Sequence, residues 1–149
     1  MFGDPSHEHV PTGPSDYPQS PPVGGAHSQV WLACGIYTEQ VPKQNAVHSI
    51  EHGAIWLTYS TDLPAAQIAQ LEQLAGLAPE YVLVSPYSGQ DSPVVATTWG
   101  LQLRVPDASD PRLVRFIKAY AGGNQGGEQG VGCKRGGATL EQAKEHNSR

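Results

Sequence analysis

The pattern of apolar and polar positions divides the middle of the chain into strands and helices. The apolar, β-branched and aromatic run at 54–59 predicts a strand. The segment Thr61-Asp62-Leu63-Pro64 predicts a helix start, because it offers a capping residue followed by a proline. Apolar residues at helical spacing follow, and Gly76 ends this run. The next apolar run, at 81–85, predicts a buried strand.

A further strand region and a second helix complete the pattern. The runs at 94–99 and 101–105 predict strand, with Gly100 as a bulge or a tight bend. Asp110-Pro111 predicts the start of a helix that Gly122 closes. The resulting order is β-α-β-β-α, and its economical packing is two helices on one face of a small sheet. The predicted fold class is therefore α+β. A thioredoxin-like α/β arrangement is the alternative, without the Cys-x-x-Cys motif of thioredoxin chemistry.

The two ends of the chain differ in composition from its middle. Residues 1–25 are rich in proline and lack any periodicity, which predicts an irregular arm, either a tether or a segment wrapped on the domain. Residues 26–121 form the predicted single α+β domain, which suits the length of the chain. Residues 122–149 form a glycine-rich tail, which a bridge through Cys133 would pin to the body.

Charge and hydropathy exclude several classes of partner. The 149 residues carry a net charge of -5 and include no basic stripe, so nucleic acid is not an expected partner. No apolar run approaches the length of a membrane span. The start of the chain has neither the charged nor the apolar part of a signal peptide. We therefore expect membrane attachment only through an anchor absent from this chain.

Two histidines and a carboxylate lie within five residues, at His48, Glu51 and His52. On a helix these three side chains share one face, whereas on a strand the two histidines would lie about 13 Å apart. Asn45 as N-cap and Gly53 as the left-handed end favour a short helix. The spacing also fits the inverted zinc-peptidase pattern, but Gly53 would stop the long helix that such enzymes need. Histidines bonded inside an ordinary core are the plainer alternative.

Cys34 and Cys133 are the two cysteines of the chain. In an oxidising compartment they would form one disulfide, and its long loop would give about 4–5 kcal/mol in the chain-entropy model. A metal-binding or nucleophilic role for Cys34, or two free thiols, are the alternatives.

Four motifs resemble the bacterial domain of unknown function family 3105, over the chain from about His9 to about Cys133. The most specific is the block at 47–54, in which Ile50 replaces the usual leucine of His-Ser-Leu-Glu-His-Gly. This resemblance implies an exported protein, often preceded by a signal or anchor that this chain lacks. It therefore implies an extracytoplasmic location and supports the disulfide. The other motifs are Gly24-Gly25-Ala26-His27, Gly35-Ile36-Tyr37 and Ser85-Pro86-Tyr87.

The leading hypothesis is a metal site with His27, His48 and His52 as ligands. Glu51 would be a fourth ligand, or the acceptor that fixes a histidine tautomer. His7 or His9 would complete the site if the arm folds over it. Imidazole suits copper and zinc, and one methionine is too few for a thioether Cu(I) site, so Cu(II) is preferred and zinc is the alternative.

Two other classes of function stay open. The protein could be a structural or interaction module of the cell envelope, with internally bonded histidines and a protein partner. It could also be a metal-dependent enzyme, in which an open coordination position activates water or oxygen and Glu51 acts as base. Metal content separates the module from the other two hypotheses, and exchangeable water on the metal separates the enzyme from a metal carrier.

Overall fold

The computed structural model describes residues 9–10 as backbone, and residues 20–25, 27–122, 133 and 137–147. In this part of the chain, seven strands and four helices form one α+β fold, which confirms the predicted class. The strands are β1 His9–Val10, β2 His27–Ser28, β3 Gly35–Ile36, β4 Ile55–Tyr59, β5 Val82–Pro86, β6 Val94–Thr98 and β7 Leu101–Val105. The helices are α1 Lys43–Glu51, α2 Ala65–Ala75, α3 Pro111–Tyr120 and α4 Leu140–Asn147.

A mixed five-stranded sheet with the order β3-β5-β4-β6-β7 forms the centre of the fold. β4 pairs in parallel with β5 and antiparallel with β6. Every residue of β4 is buried, because helices cover both faces of the sheet. This explains why the sequence of β4 is a continuous apolar run without polar alternation.

Alternate residues of the central strands pack into two separate hydrophobic cores, one on each face of the sheet. Ile55 and Leu57 pack with α2 and α3 on one face, and Trp56 packs with α1 and α4 on the other. The two helices predicted for one face of the sheet are therefore present. The other face is covered as well, by α1 and α4. Residues 140–147 carry too few apolar positions for their periodicity to indicate α4.

The predicted bend at Gly100 is a hairpin turn. β6 and β7 pair antiparallel up to Thr98 and Leu101, so Trp99 and Gly100 form a two-residue loop. Gly100 has φ +75°, a conformation that favours glycine. The runs predicted as strand on either side of Gly100 are therefore β6 and β7.

The helix that carries the histidine motif begins earlier than predicted. Pro42 precedes its first residue, and Asn45 lies inside the helix, where its side chain donates to the carbonyl of Val30 at 2.7 Å. The expectation of Asn45 as N-cap was therefore wrong. The predicted end is confirmed, since Gly53 follows the cap residue with φ +97°.

Segments from both ends of the chain pack on this domain. The Gly100 N–H donates to the carbonyl of Val23 at 2.7 Å, and β2 pairs in parallel with β1. Near the other end, Ala138 forms a parallel bridge with Leu32. The division into arm, domain and tail stays a prediction, because most of the arm and of the glycine-rich loop lies outside the described residues. None of the helices in the described ranges has the length and apolar character needed to cross a bilayer.

Candidate metal centre

Helix α1 places His48 and Glu51 on one buried face. The two residues are three positions apart, which brings their side chains together on a helix. Each is only 3% exposed. The helix is fixed against the preceding segment, because the Ser49 hydroxyl donates to the carbonyl of Leu32 at 2.5 Å. The position of the motif therefore depends on core packing and not on a surface turn.

His27 approaches this helix from β2 and is fully buried. Its Nδ1 lies 2.6 Å from the carbonyl oxygen of Gly25, and Nδ1 of His48 lies 2.8 Å from that of Ser28. A carbonyl oxygen only accepts, so each Nδ1 carries the hydrogen that it donates. In a neutral imidazole the lone pair then lies on Nε2. Backbone carbonyls thus select the tautomer of both histidines, as is common for histidines that bind metals.

Both Nε2 atoms face the carboxylate of Glu51. The distance to Oε1 is 3.2 Å from His27 and 4.0 Å from His48. One ligand atom from each of the three residues lies within 4.8 Å of the other two. With metal–ligand bonds of about 2.1 Å, two ligands at a tetrahedral angle are about 3.4 Å apart. The His27 distance already suits such a site, and His48 would approach by about half an ångström.

The charge of this group favours a cation. Among the side chains that the structure describes, Glu51 is the one buried member of the Asp, Glu, Lys and Arg classes. A buried carboxylate is costly unless a positive partner or hydrogen-bond donors compensate for it. Two neutral imidazoles and one carboxylate carry a net charge of -1. A metal cation at their centre would supply the compensation and bind both lone pairs.

Aromatic rings surround the three candidate ligands. The ring centroid of Trp31 lies 5.6 Å from that of His48, and Trp99 meets His27 edge-on at 5.8 Å. His52 lies 4.7 Å from His48 and 4.6 Å from Trp31. These rings limit the access of water to the candidate ligands, which would strengthen electrostatic interactions there.

The remaining predicted ligands are placed less directly. His52 is buried next to the group but is the cap residue after α1, and it is not among the three residues whose ligand atoms converge. The backbone of His9 pairs with that of His27 in the β1–β2 ladder. His7 lies outside the described residues. Ligand roles for His52, His9 and His7 therefore stay predictions.

The groups that orient the histidines could not be predicted from the sequence. They are the backbone carbonyls of Gly25 and Ser28, and every residue type has such a carbonyl. Trp99 was assigned only to a strand, although its ring lies against His27. An indole near a histidine motif is a weak signal, because aromatic residues are also ordinary core residues.

Comparison with protein families establishes the relationship of this chain. A family model described as "Protein of unknown function (DUF3105)" matches residues 9–135. The chain belongs to this family. The resemblance that the four motifs indicated is thereby confirmed. No curated protein and no solved structure matches the chain.

The DUF3105 domain is closed by a disulfide between Cys34 and Cys133, as predicted. The backbone of the two residues is also paired, since the Cys34 N–H donates to the carbonyl of Cys133 at 2.9 Å. Trp31, which lies against two histidine rings, is three residues before Cys34. The bridge therefore fixes the segment that carries one wall of the candidate metal centre.

Proposed function

We propose that this DUF3105 domain is an extracytoplasmic metal-binding protein that holds Cu(II), with zinc as the second candidate. The ligands are His27, His48 and Glu51. The observation that carries this proposal is the direction of the two imidazoles. Each donates from Nδ1 to a backbone carbonyl and turns its Nε2 atom toward a buried carboxylate.

The chemistry of the ligands supports the choice of ion. Imidazole nitrogen and carboxylate oxygen suit Cu(II) and zinc, whereas thiolate and thioether ligands suit Cu(I). At a given nitrogen and oxygen site, Cu(II) binds more tightly than zinc in the Irving–Williams order. The disulfide supports an oxidising compartment, because disulfides form and persist there.

The direct test is a titration of the metal-free protein with Cu(II) and with Zn(II) against a competing chelator. We expect one ion per chain, bound more tightly than about micromolar. His48→Ala should weaken binding by more than about 100-fold, because the loss of a group outside the ligand set already costs about 10–100-fold. His146→Ala, on α4, is the matched control and should leave the affinity unchanged.

The same titration ranks His52. If His52 only packs against His48, His52→Ala should weaken binding by about 10–100-fold, the range of a supporting group. A larger loss would add His52 to the ligands. Equal affinities of wild type and His48→Ala would contradict the proposed site.

A structural module of the cell envelope is the second candidate. The distance of 3.2 Å between His27 Nε2 and Glu51 Oε1 also suits a hydrogen bond from a protonated imidazole. In that case a proton takes the place of the metal, and the cluster joins β2 to α1 without an ion. The absence of binding tighter than about micromolar would favour this candidate.

A further inference from the structure

The three candidate ligands come from two separate pieces of the chain. His48 and Glu51 lie on α1, whereas His27 lies on a segment that crosses the domain before α1 begins. We define this docking segment as residues 20–25 and 27–30. Resting on the proposed function, we propose that the metal ion holds the docking segment on the domain, and that release of the metal lets the segment detach, or undock.

The docking segment is held by the burial of Val23, His27 and Ser28 and by several hydrogen bonds, one of them between Nδ1 of His48 and the carbonyl of Ser28. The Gly100 N–H donates to the carbonyl of Val23 at 2.7 Å, and the Gln102 side chain donates to that of Pro21 at 2.5 Å. The Asn45 side chain donates to the carbonyl of Val30 at 2.7 Å. Each such bond replaces a bond to water and so contributes little net stability. These contacts position the docking segment, and a metal ion shared with α1 would add a further link.

The contact between His27 and Glu51 joins the docking segment to α1. Nε2 of His27 lies 3.2 Å from Oε1 of Glu51, so one ion could bind both atoms. With a cation between them, both atoms become ligands of the same centre. The ion would therefore bind the docking segment and α1 at the same time, and its release would remove this link.

Undocking also affects the first described strand. β1 pairs with β2 in the register His9↔His27 and Val10↔Ser28. β2 is part of the docking segment, so the position of β1 depends on whether the segment is docked. Occupancy of the metal centre would thereby influence the pairing of β1 with β2.

Mass action gives the expected size of the effect. When an opening motion must release a bound ligand, the free ligand suppresses that opening by a factor of 1 + [L]/Kd. At a free metal concentration of 100 times Kd the suppression is about 100-fold. At free metal concentrations well above Kd, an amide that becomes exposed only by undocking should therefore gain about tenfold in protection for each tenfold rise in free metal.

The Gly100 amide is the reporter, because its acceptor is the carbonyl of Val23 in the docking segment. We would measure its hydrogen exchange by mass spectrometry at residue resolution, with free Cu(II) set by a copper buffer and Kd determined in the same samples. We expect a slope of one in a plot of log protection against log free copper. In the metal-free protein, we expect Gly100 to exchange faster than the amides of β4, since the segment undocks without global unfolding.

Two variants control the experiment. His48→Ala removes a ligand from α1 and should abolish the copper dependence of the Gly100 amide, whereas His146→Ala should retain it. Stoichiometric binding with copper-independent protection of Gly100 would overturn the proposal that the metal holds the docking segment, and it would leave the proposed function intact. Equal protection of Gly100 and of β4 amides without metal would also overturn it. The absence of copper binding would overturn both proposals.

Discussion

Glu51→Gln separates two states of the metal-free site, a neutral His27 that faces the carboxylate and a protonated His27 that is paired with it, because the two states predict opposite changes in stability. Glu51 is 3% exposed, and its Oε1 lies 3.2 Å from Nε2 of His27. In a neutral His27 this nitrogen carries a lone pair, since Nδ1 donates to Gly25. Glutamine has nearly the same shape and can turn its amide N–H toward that lone pair. The substitution therefore replaces a repulsive contact with a hydrogen bond.

The magnitude follows from the burial of both groups. A buried acceptor that faces another acceptor costs about 1–3 kcal/mol, and a new hydrogen bond contributes about 0.5–1.5 kcal/mol. We therefore expect the free energy of unfolding of the metal-free protein to rise by about 1–3 kcal/mol in Glu51→Gln. If Glu51 is instead paired with a protonated His27, removing its charge should lower the stability by about 3–5 kcal/mol.

The assay is urea unfolding of the metal-free wild type and variant in the presence of a chelator. With an m-value of about 1–3 kcal/mol per molar, the gain should raise the midpoint by about 1 M at constant m. Glu72→Gln on α2 is the control and should change stability by less than about 0.5 kcal/mol. A loss of about 3 kcal/mol or more in Glu51→Gln would contradict a neutral His27 and show that Glu51 is paired with a protonated His27 in the metal-free protein.

Three further predictions concern the rest of the fold. Replacing Cys34 and Cys133 by serine should lower the free energy of unfolding by about 4–5 kcal/mol in urea, because the disulfide closes a long loop. Gly53→Ala should destabilise the protein more than Gly89→Ala in thermal unfolding. Both glycines have positive φ, but only at Gly53 would a Cβ approach neighbouring backbone, at 2.9 Å. Hydrogen bonds from the side chain and the backbone N–H of Arg112 lower the pKa of Asp110 to about 2. The carboxylate therefore stabilises the fold above its unfolded pKa, and this effect is lost as the pH falls toward 2. Asp110→Asn keeps the cap, so its stability deficit at pH 6 should vanish near pH 2.

Each of these predictions has an outcome that contradicts it. An unchanged urea midpoint in the double serine variant, and in wild type with reductant, would mean that the disulfide does not stabilise the fold. Equal losses in Gly53→Ala and Gly89→Ala would mean that the close approach after α1 is relaxed. A deficit of Asp110→Asn that persists unchanged down to pH 2 would assign the effect to hydrogen-bond geometry and not to charge.

The local part of the candidate metal centre could be predicted from the sequence. Helical spacing of His48 and Glu51 indicated a shared face, and both lie on that face of α1. His52 is four residues after His48, a spacing that also predicts the shared face, but it lies beyond the last helical residue, with φ -78° and ψ 5°. Its ring lies against Trp31, at 4.6 Å between the ring centroids. A motif at the end of a helix can specify two positions on a face without specifying the third.

The non-local part of the site could not be derived from spacing. His27 entered the ligand set without a pattern that pairs it with α1, and its position depends on the crossing of the docking segment. The carbonyls of Gly25 and Ser28 orient the imidazoles through backbone geometry, which side-chain identity does not reveal. Similarly, α4 is stabilised by packing on the sheet and not by a strong apolar pattern of its own.

Copper electron spin resonance shows directly whether the imidazoles of His27 and His48 bind the ion. The metal-free protein would receive one equivalent of Cu(II), and the nitrogen hyperfine structure would be compared among wild type, His27→Ala with His48→Ala, and His146→Ala. We predict coupling to imidazole nitrogens in wild type and in His146→Ala, and its loss in the double variant. A signal of free copper in wild type, or identical spectra in wild type and the double variant, would contradict a metal site built on His27 and His48.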